Sequence, residues 1–180
     1  MENKILERLA EFGQSIWLDN INRGMFESGR LKELVQAGLR GQTSNPTIFH
    51  KAVSGSSVYD GQIRELAAGG RTSFEIYDAL TLQDIREAAD IFMPVYERTN
   101  GLDGYISLEI NPKLAFNAEE TILEGRRLHA AVNRPNLMLK VPATEEGYRA
   151  LEELTASGIN INATLIFSLM QYEKTALAFI

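Results

Sequence analysis

Five short strand-like runs, each followed by a helical pattern, constrain this chain more than any other feature. The runs are Ser15–Asp19 (SIWLD), Arg40–Ser44 (RGQTS), Tyr105–Ile110 (YISLEI), Leu137–Val141 (LMLKV) and Asn160–Phe167 (NINATLIF). Strand followed by helix, repeated in this way, indicates a parallel sheet with right-handed crossovers. Two architectures fit, an open doubly wound sheet or part of a (β/α)₈ barrel. No GxGxxG or GxxxxGK[ST] follows a strand, which disfavours a nucleotide-binding sheet. The strands carry polar residues inside them, which favours a barrel with a functional lumen. The expected fold class is therefore α/β: a (β/α)₈ TIM barrel of which the first five β/α units are present. Residues 1–180 read as a single, incomplete barrel domain.

The helices between the strands are marked by periodicity and capping residues. Ile5, Leu6, Leu9 and Phe12 recur at helical spacing near the start. Ser28 is placed to cap a helix carrying Leu31, Leu34 and Val35 and ended by Gly38, and Pro46 stands where another helix begins. Gly55–Gly61 reads as a loop. Residues 56–100 otherwise read as helical, broken at Gly69-Gly70. Thr81-x-x-Asp84 resembles a capping box before Ile85, Ala88, Ala89 and Phe92. Asn117-x-x-Glu120 and Thr144 open two later helices, the second with Tyr148, Leu151 and Leu154 as its stripe. A final helix begins near Ser168.

Composition narrows the function classes. A formal charge of −6 with no Lys/Arg cluster argues against nucleic acid. The chain has no cysteine, which rules out disulfides and thiolate metal sites and fits a cytoplasmic protein. Its two histidines, His50 and His129, read as surface or capped residues and not ligands, and no histidine-rich metal site is expected. The opening MENKILERLAEF lacks a signal-peptide core, and no apolar run approaches the ~18 residues of a membrane span. Trp17, Phe92 and Tyr96 read as core, and Arg126-Arg127 as a solvated helix face.

The chemically capable residues fall late in the strands. Asp19 ends the first and Asn45 the second; Glu109 and Lys140 lie near the ends of the third and fourth; Thr164 is late in the fifth. In β/α barrels catalytic groups come from the C-terminal ends of several strands. The period of two puts Tyr105, Ser107 and Glu109 on one face, Met138 and Lys140 on one face, and Asn160, Asn162 and Thr164 on one face. Apolar residues take the opposite faces. Two readings fit Lys140: a neutral amine able to attack a carbonyl, or an ammonium paired with Glu109. Asp19 also suits a turn, Thr43–Thr47 also suits a loop entering a helix, and Asn162 and Thr164 also suit backbone hydrogen bonds.

SIWLD, GQTSNPTIF, SLEINP, LMLKVPAT and GININATLIFS, in this order, closely resemble the transaldolases over the whole chain. That resemblance implies a cytoplasmic β/α-barrel enzyme of the non-oxidative pentose phosphate pathway, using no metal or organic cofactor. The expected reaction moves a dihydroxyacetone unit from sedoheptulose 7-phosphate to glyceraldehyde 3-phosphate. By resemblance Lys140 forms the Schiff base and Asp19 takes the proton from the C4 hydroxyl. Glu109 works through a water that Thr164 holds, and Asn45 and Asn162 hydrogen-bond the dihydroxyacetone hydroxyls. The partners implied are sugar phosphates, with no nucleic acid and no membrane.

A (β/α)₈ barrel takes about 250 residues, so the resemblance implies an N-terminal portion. The final helix still shows an apolar face at Leu169, Tyr172, Ala176 and Phe179. Strands six to eight, with the serine and arginine that grip substrate phosphate, would lie outside these 180 residues. The 180 residues alone are expected to be nearly inactive and poorly soluble. Two alternatives stay open. One is a fructose 6-phosphate aldolase-like enzyme releasing free dihydroxyacetone. The other is a non-catalytic half-barrel module, whose unclosed sheet would admit a homodimer.

Overall fold

In the third, fourth and fifth strands apolar residues alternate with polar ones, whereas the polar second run is a strand by its position between helices. A computed structural model describes residues 5–180, without the side chains of Ile5 and Glu7. The helices are α1 (Ile5–Glu11), α2 (Arg23–Glu27), α3 (Arg30–Gln36), α4 (Pro46–Ser54), α5 (Asp60–Ala68), α6 (Ser73–Arg98), α7 (Ala118–Val132), α8 (Glu145–Ala156) and α9 (Leu169–Phe179). The strands are β1 (Trp17–Asp19), β2 (Gly41–Thr43), β3 (Tyr105–Glu109), β4 (Leu137–Pro142) and β5 (Ile161–Thr164). Strand order in the sheet follows chain order, and the β1–β2 and β4–β5 pairs are parallel. The chain divides into two compact units, Met1–Ile106 and Ser107–Ile180.

In the first unit, Trp17 pairs with Gly41 and Asp19 with Thr43. The core gathers Ile21, Leu31, Phe49, Ile85, Phe92 and Val95. Gly104 enters β3 at φ +86°, and a Cβ there would lie 2.4 Å from the Tyr96 amide nitrogen, so only glycine fits.

Three expectations about this unit need correction. Thr81 and Asp84 do not cap a helix: both are buried inside the 26-residue α6. The capping box lies at the start of α6, where Thr72 and Glu75 bond each other's backbone amides. Thr81-x-x-Asp84 carries the right letters, but tertiary packing carries the helix straight through them. Ser28 closes α2 instead of opening α3. Its hydroxyl donates to the Gly24 carbonyl, and Gly29, at φ +74°, is the residue before α3. The segment 55–61 is not simply a loop: Ser57–Tyr59 forms a 3₁₀ turn that carries a fully buried Tyr59.

Tyr59 belongs to a buried polar network. The Arg23 Nε and Nη2 donate to Asp84 Oδ1 at 2.9 and 2.8 Å, and the Tyr59 hydroxyl donates to Asp84 Oδ2 at 2.7 Å. The Arg23 backbone amide donates to the Tyr59 hydroxyl at 2.9 Å, and its Nη1 to Gln62 Oε1 at 2.9 Å. The guanidinium also lies 4.6 Å from the Tyr59 ring centre. The Asp84 side chain is fully buried. Burial pushes its carboxyl up, against the opposing pull of the Tyr59 and Arg23 hydrogen bonds. The Asp84 carboxylate thus ties α2 and the 3₁₀ turn to α6, and Arg23 extends the network to α5 through Gln62.

In the second unit, burial alternates along β4: Leu137, Leu139 and Val141 are buried, while Met138, Lys140 and Pro142 are half-buried. The apolar face of β4 packs with α7 and α8, whose buried residues include Leu128, Val132, Ala150, Leu151 and Leu154. Asn117 caps α7 and Thr144 caps α8, as the sequence predicts. β5 stops at Thr164, earlier than the predicted Phe167, because Leu165 takes a left-handed φ of +62°. Leu169, Tyr172 and Phe179 of α9 are exposed, as are Met170 and Leu177.

The first turn of α8 is seated against the end of β4. A Cβ on Gly147 would lie 1.9 Å from the Pro142 carbonyl oxygen. Gly147→Ala must therefore move either the helix or the strand that carries Lys140. We expect it to lower stability by about 1–3 kcal/mol in urea unfolding.

Candidate active site

Parallel pairing sets three site residues in one transverse row of the second unit. Lys140 is in register with Asn162 on β5. On the other side, the Ile110 amide donates to the Lys140 carbonyl at 3.2 Å, the bond a parallel pair makes when Glu109 stands opposite Lys140. Lys140 Nζ lies 3.6 Å from Glu109 Oε2, with the two side chains 13% and 20% exposed. That is ion-pair range, but longer than a direct hydrogen bond. Residue Thr164 lies one layer further along β5, in register with Pro142, about 6.6 Å along the strand from Asn162. The second unit thus brings Glu109, Lys140, Asn162 and Thr164 onto one face.

Ser107 completes this face from below. It precedes Glu109 by two residues on β3, is fully buried, and accepts a 3.0 Å hydrogen bond from Asn162 Nδ2. The sequence pattern places Ser107 on this face without giving it a task. The available signal was a small polar residue inside an otherwise apolar strand.

The remaining two candidates belong to the first unit. Asp19 is the last residue of β1 and is exposed. Asn45 lies just beyond β2, not at its end, and is the N-cap of α4. Its Oδ1 accepts from the Ile48 amide at 2.9 Å, and Pro46 follows at the first helical position. That bond occupies the acceptor side of the Asn45 amide and leaves its NH₂ group to donate.

Among the described residues, no group of three or more His, Asp or Glu side chains is placed to hold a metal ion. None of the described helices is long and apolar enough to cross a membrane. His50 is exposed and His129 half-buried, Phe92 lies in the core, and Trp17 is half-buried over Gly41. Arg126 and Arg127 are exposed and paired with Glu153 and Glu124.

Comparison with known proteins matches this chain to one family. The chain is 49% identical over 179 residues to a transaldolase of Trichodesmium erythraeum (strain IMS101), covering 99% of this chain and 47% of that protein. It is 46% identical over 179 residues to transaldolase 2 of Nostoc punctiforme (strain ATCC 29133 / PCC 73102), with 99% and 47% covered. It is 48% identical over 176 residues to a transaldolase of Thermobifida fusca (strain YX), with 97% and 48% covered. The chain therefore spans about half the length of these relatives. The family described as Transaldolase/Fructose-6-phosphate aldolase matches residues 16–179, and the chain belongs to it.

Proposed function

We propose that this chain carries the Schiff-base half of a cytoplasmic transaldolase built on a β/α barrel, with Lys140 as the amine that attacks the ketose carbonyl. The observation that supports this reading best is the row Glu109–Lys140–Asn162: an amine on a central strand, flanked by a carboxylate and an amide. Attack of the amine on the carbonyl gives a carbinolamine, and loss of water gives an iminium. Glu109 would serve this dehydration through a water held by Thr164. Asp19 would take the proton of the C4 hydroxyl as the C3–C4 bond breaks. The bonding pair then passes into the iminium, leaving an enamine of dihydroxyacetone. Asn45 and Asn162 would hold the hydroxyls of that three-carbon unit.

In a chain of the relatives' full length, the acceptor would be glyceraldehyde 3-phosphate and the products erythrose 4-phosphate and fructose 6-phosphate. The relatives' printed names favour transfer to an acceptor over release of free dihydroxyacetone. Borohydride reduction in the presence of fructose 6-phosphate, followed by peptide mass mapping, tests the central step. A stable three-carbon adduct on Lys140 is the expected result. An unmodified Lys140, or an adduct on another lysine, would overturn it.

A further inference from the structure

Asn162 and Ser107 lie on β5 and β3, with β4 between them. Lys140 stands on β4 in register with Asn162, so the Asn162 side chain reaches past β4 one layer beneath the row that holds the amine. Its Nδ2 is bound to a hydroxyl that is fully buried and carried on a strand. In a planar carboxamide, nitrogen and oxygen leave the same carbon about 120° apart, so anchoring one aims the other. With the NH₂ group directed down at Ser107, Oδ1 is presented away from it as an acceptor. Among the described residues, no hydrogen bond is made to that oxygen.

Resting on the Schiff-base reading above, we propose that Ser107 is a positioning residue. It fixes the Asn162 carboxamide so that the carbonyl oxygen, and not the NH₂ group, receives a hydroxyl of the ketose bound at Lys140. Without the Ser107 hydroxyl, the amide turns freely about its last torsion, and half of its orientations offer a donor where an acceptor is needed. The ligand class this selects is a ketose with a free hydroxyl next to the carbonyl carbon.

The test is a double-mutant cycle in a chain completed to the length of its relatives, with dihydroxyacetone as the probe. Cyanoborohydride trapping on Lys140 is read by intact mass over a range of probe concentrations. Ser107→Ala is expected to raise the half-saturating concentration about twofold, because about half of the freed amide's orientations remain productive. Asn162→Ala should raise it at least as much. In the double variant, Ser107→Ala should add nothing further, because the group it positions is gone. Melting curves establish that each variant is folded. In ¹⁵N–¹H spectra the Asn162 side-chain NH₂ pair, assigned from its loss in Asn162→Ala, should move in Ser107→Ala. Trapping by Ser107→Ala at the unsubstituted half-saturation, multiplying effects in the double variant, or an unmoved NH₂ pair would each overturn the proposal. Absence of any adduct on unsubstituted protein would instead overturn the Schiff-base reading on which it rests.

Discussion

Lys140→Met is expected to abolish the borohydride-trapped adduct while leaving the fold intact. Methionine matches the lysine stem in length and supplies no nucleophile, so the three-carbon unit cannot become covalently bound. In a chain completed to the length of its relatives, turnover should fall by at least ~10⁴-fold, the scale seen when a covalent nucleophile is deleted. Glu109 then loses its ion-pair partner, but it keeps 20% of its side-chain surface in solvent, so the stability cost should stay modest. The measurements are mass mapping after reduction, turnover with fructose 6-phosphate and erythrose 4-phosphate, and a melting curve. Normal turnover by a well-folded Lys140→Met protein would remove the basis of the proposed chemistry.

Asp84→Ala should be the most damaging change outside the candidate site. It deletes both acceptor oxygens of the buried network and leaves the Arg23 guanidinium buried without its counter-charge. Breaking one partner of a buried pair costs about 3–5 kcal/mol, a large share of the ~5–15 kcal/mol that holds a domain together. The loss should appear as a lowered midpoint in urea unfolding. The pH dependence has a definite sign. The folded Asp84 carboxyl lies above its ordinary value, so the folded protein binds that proton more tightly than the unfolded chain does. The stability tied to this proton is fully present below the unfolded value and is lost as pH rises through the folded one. The gap in melting temperature between unsubstituted protein and Asp84→Ala should therefore be wider near pH 4 than at pH 7. A gap that widens toward neutral pH would contradict this account.

Most strands were legible from short-range pattern, and the polar β2 run from its position between helices. Alternation in LMLKV put Lys140 on the face opposite Leu139 and Val141, and β4 shows that alternation in its burial. The caps at Asn117 and Thr144 were legible for the same reason: a side-chain oxygen and an amide three residues on are local neighbours. Asp84 was misread because its partners are distant in sequence. Arg23 is 61 residues away and Tyr59 is 25, and no periodicity links them. Judged locally, a threonine and an aspartate three apart look like a helix start. Judged by where Phe92, Ile85 and Ala88 must pack, they lie mid-helix. Ser107 was half legible: its face followed from parity, while its bond to Asn162 required knowing that β3 and β5 flank the same strand.

Asn45 carries two obligations at once, since the oxygen that begins α4 belongs to the same side chain proposed to meet the sugar. Any truncation there confounds two effects: a slower enzyme and a frayed helix would arrive together in one variant. Aspartate would separate them. It would keep an oxygen for the Ile48 amide while replacing the outward donor with a negative charge, so the cap would survive and only the contact with the sugar would be lost.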